Sequence, residues 1–195
     1  MLVQHQNDLC VNAAPIGIGS PASGTTIGAT LDADLPYCGT DVTAPGVWYT
    51  FVAPSIVSCP SGSVSISGHP TVSTCDGATW DTKISVFSGS CDSPICVTGC
   101  DDCGPCASSF QTEFEIPVTA GETYNVLVHG FDDLTGSFDL DLDYDLELTC
   151  YETIPTPSTL TVRDMRRSHA IRIAVSTCAI HSSFDFLLFG TPSSM

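Results

Sequence analysis

The chain has 195 residues, of which 22 are acidic and 5 are basic, and its formal net charge is -17. A surface of this kind repels phosphate backbones, so the composition argues against nucleic acid as a partner. The longest apolar run near the C-terminus, Phe186–Phe189, is far shorter than the roughly 20 residues that cross a bilayer. We therefore expect a protein that does not insert into a membrane.

The 11 cysteines predict an oxidising compartment, because so many thiols would stay reduced in a cytosol. The protein is therefore expected to be secreted or displayed at the cell surface. The first residues, MLVQHQNDLC, lack the basic and apolar regions of a signal peptide. We expect that a signal was removed or that the gene's first exon is missing from the sequence.

Short β-rich runs recur between turns of Gly, Pro and Asp in the first three quarters of the chain. In chain order they are TTIGATLD, GVWYTFV, SVSISG, KISVF, EFEIPV, TYNVLVHG and SFDLDLDYDLEL. Apolar and polar residues alternate in several of them, which is typical of strands with one buried face. The pattern predicts an all-β, jelly-roll-like antiparallel β-sandwich over residues 1–148, with no long helix.

A change of composition near residue 150 predicts a boundary. Residues 149–162 include the Pro/Thr/Ser stretch IPTPSTLT and read as a linker. Residues 163–195 form a basic tail that holds four of the five basic residues, Arg163, Arg166, Arg167 and Arg172. A genuine part of the fold, an alternative splice end and a translated intron all remain open for this tail.

Five segments taken together resemble the pre-peptidase C-terminal domain, a β-sandwich attached to secreted bacterial proteases and other extracellular proteins. They are APGVWYTFV, WDTKISVFSGSC, CDD, VTAGETYNVLVHGF and TGSFDLDL, and the resemblance covers residues 7–144. Residues 58–70 depart from it as an insertion. The resemblance implies a non-catalytic accessory module, rather than an enzyme, that binds an extracellular protein or glycan.

The same resemblance implies a metal site. Asp81 matches the residue that opens a strand in the family, and Asp101 and Asp102 match its acidic turn. Some members of the family bind calcium, so these three carboxylates are the candidate ligands for Ca²⁺. The resemblance also assigns core or turn positions to Trp48, Tyr49, Tyr124 and Gly136, and we expect Trp80 in the core as well.

The cysteines predict at least three disulfides within the chain. The candidates are Cys10, Cys38, Cys75, Cys91, Cys96 and Cys103, and we expect Cys91 to pair with Cys96 across a hairpin and Cys10 with Cys38. The CGPC motif at 103–106 lacks the following helix that a redox dithiol needs. A zinc cage formed by the cysteines at 96, 100, 103 and 106 is less compatible with an oxidising compartment than structural disulfides are.

A ladder of carboxylates alternates with apolar residues after residue 137, and its members are Asp139, Asp141, Asp143, Asp145 and Glu147. Neighbours on one face of a strand lie about 6.6 to 6.8 Å apart, too far to share one tightly bound Ca²⁺. A solvated face is at least as good an interpretation. His129 ends an apolar run and is expected to be structural.

Two alternatives of other classes remain open. The chain could be a fragment of a secreted peptidase whose catalytic domain lies outside it, or a structural protein of an extracellular matrix or coat. The sequence contains no G-x-S-x-G, H-E-x-x-H or Walker motif.

Overall fold

The computed structural model describes residues 6–32, 34–54 and 69–144 in full, and residues 63–67 and 147–151 as backbone. The described residues form eleven strands, in chain order β1 Ala14–Pro15, β2 Ala22–Thr25, β3 Val47–Val52, β4 Ser63–Ser67, β5 Pro70–Ser73, β6 Thr82–Ser90, β7 Ser93–Asp101, β8 Glu113–Glu115, β9 Thr123–Gly130, β10 Ser137–Tyr144 and β11 Glu147–Tyr151. Two short 3-10 helices, Cys10–Asn12 and Gly104–Ser109, are the helical segments of this part of the chain. None of its helices is long and apolar enough to cross a membrane.

The strands form two packed sheets and one separate pair. One sheet has the order β1-β3-β9-β6-β7, and the other has the order β2-β10-β5-β8. All pairings in them are antiparallel except that of β1 with β3. The prediction of an all-β sandwich with disulfides is confirmed.

The chain divides into two compact units, 1–53 with 66–147 and 54–65 with 148–195. The two packed sheets belong to the first unit, and β4 pairs with β11 in a two-stranded sheet. The predicted linker and basic tail lie outside the described residues from position 152 onward.

The main core lies between the two sheets and follows from the alternation of side chains along each strand. On β3, Val47, Tyr49 and Phe51 point into this core. On β10, Phe138 and Leu140 are buried, as is every second residue through position 142. The aspartates between them face outward, as the sequence predicts.

A second, smaller core lies on the opposite face of the five-stranded sheet. It contains Trp48, Phe87, Leu127 and Cys38. Residues 7–13, 30–32 and 34–42 lie over it, and we call them the outer cover. The central strands β3, β9 and β6 are therefore buried on both faces.

Two disulfides attach the outer cover to the sheet. Cys10 is bonded to Cys91 and Cys38 to Cys96, with Cα separations of 5.6 and 5.2 Å. The predicted pairings of Cys91 with Cys96 and of Cys10 with Cys38 are therefore wrong. In the β6–β7 hairpin, Ser90 pairs with Ser93 and Cys91 lies in the turn. Cys96 lies three residues beyond Ser93 on β7, about 10 Å from the turn that holds Cys91. This distance exceeds the roughly 7 Å between Cα atoms that a disulfide spans.

Two further disulfides lie after β7. Cys75 is bonded to Cys106, and Cys100 to Cys103. All six candidate cysteines take part in bridges, and the expectation of at least three disulfides is confirmed. CGPC is split between two different bridges, so these cysteines act as structural crosslinks in this structure. The side chains of the three other cysteines lie outside the described residues.

One predicted strand is wrong. The run at 25–32 leaves the sheet after Thr25, because Gly28 has a φ of 89° and turns the chain into the outer cover. Just beyond β2, the Thr26 amide donates to the Gly136 carbonyl at 3.0 Å. Thr30 is then held by Asp8, whose carboxylate accepts from the Thr30 amide at 2.7 Å.

Candidate functional site

The hairpin of β6 and β7 brings three aspartates together at one end of the five-stranded sheet. Asp81 immediately precedes β6, Asp101 is the last residue of β7, and Asp102 follows it. The antiparallel register pairs Lys83 with Asp101, so the end of β7 lies beside the beginning of β6. One carboxylate oxygen from each aspartate lies within 4.8 Å of the others. We call these three residues the acidic cluster.

Local covalent and backbone geometry fixes two members of the acidic cluster. The Cys100–Cys103 disulfide closes a ring around Asp101 and Asp102. Asp102 has a φ of 54°, in the left-handed region, which aspartate tolerates better than most residues. On the far side of the ring, the Glu113 amide donates to the Cys103 carbonyl at 3.0 Å. The two carboxylates are therefore held in the turn.

The acidic cluster is only partly compensated by positive charge. Lys83 is nearly buried, and its Nζ lies 3.8 Å from Asp101 Oδ2. The same Nζ lies 5.2 Å from the centre of the Phe131 ring, in a cation–π contact. Lys83 is the single lysine or arginine in the described part of the chain. Three carboxylates thus share one ammonium group.

This crowding changes proton affinities. Burial, together with the negative charges of Asp101, Asp102 and Asp132, raises the pKa of Asp81 to about 6, and Lys83 only partly opposes the shift. Burial also raises the pKa of Asp101, where Lys83 opposes the shift and Asp102 adds to it. The ionised cluster is therefore electrostatically unfavourable when no cation is added.

The donor atoms of the acidic cluster fit a hard cation. Asp81 Oδ1 and Asp101 Oδ1 are buried and have no hydrogen-bond partner among the described residues. Two ligands at opposite sides of one Ca²⁺, each about 2.4 Å from it, lie about 5 Å apart. The carboxylate oxygens of the acidic cluster lie within 4.8 Å of one another, which is compatible with that distance. Backbone carbonyls and water would complete a shell of six to eight oxygens.

The carboxylate ladder on β10 does not converge in this way. Asp139 and Asp143 are exposed and Asp141 is partly exposed, on the face that points away from the core. Burial is the main cause that raises the pKa of Asp141, and the negative charges of Asp143 and Asp139 raise it further. Within the described residues, the acidic cluster is the group whose ligand atoms lie close enough to surround a metal ion. The side chains of Asp145 and Glu147 lie outside the described residues.

A buried serine–histidine pair was not predicted. His129 is completely buried, and its Nε2 lies 3.1 Å from Ser85 Oγ, which is also completely buried. Nδ1 of His129 has no partner among the described residues. Burial, together with the charge of Lys83, lowers the pKa of His129 to about 3. The ring of His129 is therefore enclosed within the protein, with its Nε2 beside the Ser85 hydroxyl.

Two other carboxylates that the sequence analysis missed hold the outer cover. Asp8 accepts from the amide and the hydroxyl of Thr30, at 2.7 and 3.1 Å. Asp32 accepts from Trp48 Nε1 at 3.1 Å. Burial raises the pKa of Asp32, the Trp48 bond opposes the shift, and Asp8 adds to it. These contacts fasten a loop, and no spacing in the sequence indicates them.

Three of the four aromatic residues expected in the core are buried. Tyr49 and Tyr124 belong to the main core, and Trp48 belongs to the second one. Trp80 is only partly buried and donates from Nε1 to the Ser137 carbonyl at 2.8 Å. Its ring covers Gly136, where a Cβ atom would overlap the indole nitrogen. Gly136 is therefore required by close packing in the loop before β10.

Comparisons of the chain with protein-family models, curated proteins and solved structures gave no match. The resemblance to the pre-peptidase C-terminal domain therefore stays a prediction from the sequence.

Proposed function

We propose that the chain is a non-catalytic, secreted or cell-surface accessory module that binds a protein or glycan partner and is stabilised by calcium at Asp81, Asp101 and Asp102. The observation that carries the proposal is the convergence of these carboxylates with two buried oxygens that lack partners among the described residues. A divalent cation would satisfy both oxygens and offset the repulsion between the charges.

The disulfides support an extracellular role. Four bridges join the eight cysteines whose side chains are described. Such bridges persist in oxidising environments, and millimolar Ca²⁺ is available outside cells to fill weak sites.

The placement of the Ser85–His129 pair supports a non-catalytic role. Both side chains lie on the face of β6 and β9 that the outer cover buries, and both are fully inaccessible. A nucleophile and its base must reach substrate. This pair is better explained as a hydrogen bond inside the second core.

Thermal unfolding in EDTA and in 10 mM Ca²⁺ tests the calcium site. For a Kd of about 1 mM, Ca²⁺ adds about 1.4 kcal/mol to the free energy of unfolding. That corresponds to a rise in Tm of about 3 to 5 °C for a module of this size. Asp102→Asn should abolish the rise without removing the partner of the buried Lys83.

The matched control is Asp143→Asn, which removes the same charge from the exposed face of β10. It should leave the Ca²⁺ increment intact. Equal loss of the increment in both variants would mean general screening of an acidic surface. An unchanged Tm for the unsubstituted protein in Ca²⁺ would refute the site itself.

A further inference from the structure

Three exposed apolar side chains belong to the two segments whose backbones border the acidic cluster at the beginning of β6. Phe110 is 57% exposed, and Phe131 and Leu134 are each 42% exposed; we call these three residues the apolar rim. The Phe131 amide donates to the Asp81 carbonyl at 3.2 Å, and the Thr82 amide donates to the Phe110 carbonyl at 2.9 Å. The backbones of the two phenylalanines thus flank the beginning of β6, about 5 Å away on either side.

Phe110 is unfavourable for folding in two respects. Its φ of 62° lies in the left-handed region, which is an outlier for a bulky residue. Its ring is largely exposed, so it gains little from burial in the core. Exposed aromatic groups gathered at one end of a domain are typical of a surface that contacts a partner.

Negative charge surrounds the apolar rim. Asp132 and Asp133 follow Phe131 directly and are exposed, and they add to the carboxylates of the acidic cluster. Lys83 is the one basic side chain that opposes them in the described part of the chain. Even with one Ca²⁺ in the cluster, carboxylate charges outnumber positive charges here. A neutral glycan would leave this negative charge uncompensated, whereas a cationic partner would neutralise part of it.

The contacts of Lys83 show how these groups surround a cation. Its ammonium lies 3.8 Å from an Asp101 oxygen and 5.2 Å from the centre of the Phe131 ring. A carboxylate and an aromatic ring are a favourable pair of neighbours for an ammonium or guanidinium group. Lys83 approaches from within the sheet, while Phe131 and Asp102 both remain accessible to solvent.

We propose that the apolar rim and the acidic cluster form a docking surface for a basic protein partner, which places a lysine or arginine side chain against Phe131 and against the oxygens of Asp81 and Asp102 that do not bind Ca²⁺. The inference rests on the proposed function as a binding module and specifies its partner as a protein segment that combines positive charge with apolar side chains. The phenylalanines of the rim contact the apolar part of that segment.

The proposal is tested by titrating the full, oxidised chain with a defined peptide. NMR chemical shifts, measured at about 0.15 M ionic strength, report the binding. The probe is an end-capped hexapeptide with two lysines and two phenylalanines, and the comparison peptide has norleucine in place of lysine. We expect the lysine peptide to shift the amides of residues 81–83, 101–102 and 131–134. The norleucine peptide should bind at least ten-fold more weakly.

Matched variants separate this surface from the acidic chain as a whole. Phe110→Ala and Asp102→Asn should weaken binding of the lysine peptide five-fold or more. Asp143→Asn removes one charge elsewhere, and Ile95→Ala removes a side chain that is 62% exposed on β7; both should change the affinity less than two-fold.

Three results would overturn the docking surface. They are equal weakening by Asp102→Asn and Asp143→Asn, equal affinity for the lysine and norleucine peptides, and shifts of the same amides by maltohexaose without a response to the lysine peptide. The Ca²⁺ increment in Tm, measured on the same samples, reports separately on the proposed function. Peptide binding without that increment would remove the calcium site alone, and the increment without peptide binding would remove the docking surface alone.

Discussion

Replacing Asp81 with asparagine should stabilise the protein at neutral pH in the absence of calcium. The carboxyl of Asp81 has a pKa of about 6 in the folded protein, against an ordinary value of 3.8. The folded state thus holds this proton more tightly than the unfolded state does. Its contribution to stability falls as the pH rises from about 4 to about 6 and stays low above that. The uncharged amide of the Asp81→Asn variant would escape this loss.

The size of the effect follows from the shift in pKa. Each unit corresponds to about 1.4 kcal/mol, so the shift sets an upper limit of about 3 kcal/mol. Asp81 is partly exposed, and solvent screening reduces the expected gain to roughly 1 kcal/mol. That gain would raise Tm by about 2 to 4 °C.

Urea unfolding in EDTA between pH 4 and pH 7.5 measures this gain. The difference in the free energy of unfolding between Asp81→Asn and the unsubstituted protein should grow between pH 4 and about pH 6 and then remain constant. Asp143→Asn should differ from the unsubstituted protein by less than about 0.5 kcal/mol, as is usual for exposed sites. A loss of stability in Asp81→Asn at pH 7.5, or a difference that does not depend on pH, would refute the reasoning.

Two further predictions concern the outer cover. The double variant Cys10→Ser/Cys91→Ser removes the bridge whose cysteines are 81 residues apart, and it should lower the free energy of unfolding in urea by up to about 4 to 5 kcal/mol. Peptide mapping without reduction should find this bridge in the unsubstituted protein. A bridge between Cys91 and Cys96 would contradict the register of the hairpin. Gly99→Ala should cost roughly 2 to 3 kcal/mol, because its Cβ would overlap the Cys38 carbonyl. Gly19→Ala is the control, because a Cβ at Gly19 would meet no atom within 4 Å and the φ of +67° alone should cost about 1 kcal/mol. Equal losses of stability in Gly99→Ala and Gly19→Ala would refute the close packing at Gly99.

The sequence predicts β10 well and β6 less well, for a physical reason. On β10 the alternation of apolar residues with aspartate describes one buried and one wet face, and the structure has both. On β6, Lys83 and Ser85 occupy the polar positions of a similar pattern, yet both are buried. A segment from elsewhere in the chain covers them, and periodicity within a strand carries no information on such distant contacts.

The acidic cluster shows the same limit. Its three members were expected together from a family resemblance, since spacing alone does not relate Asp81 to residues twenty positions away. The pairing of Lys83 with Asp101 is what brings them close. The position of Phe131 beside them depends on a third strand, β9, whose neighbours the sequence does not specify.

The outer cover makes the five-stranded sheet sensitive to its redox environment. The cover segments supply Cys38 and four partly buried side chains to the second core, and two covalent bridges hold the segments there. A reductant would therefore convert the cover into a separately opening layer, while the packing between the two sheets persists. Trp48 lies beneath that layer, completely buried, so its fluorescence would report the opening before the sandwich unfolds. In this fold we therefore expect the oxidation state of the cysteines to set how readily one face of the sheet becomes exposed to water.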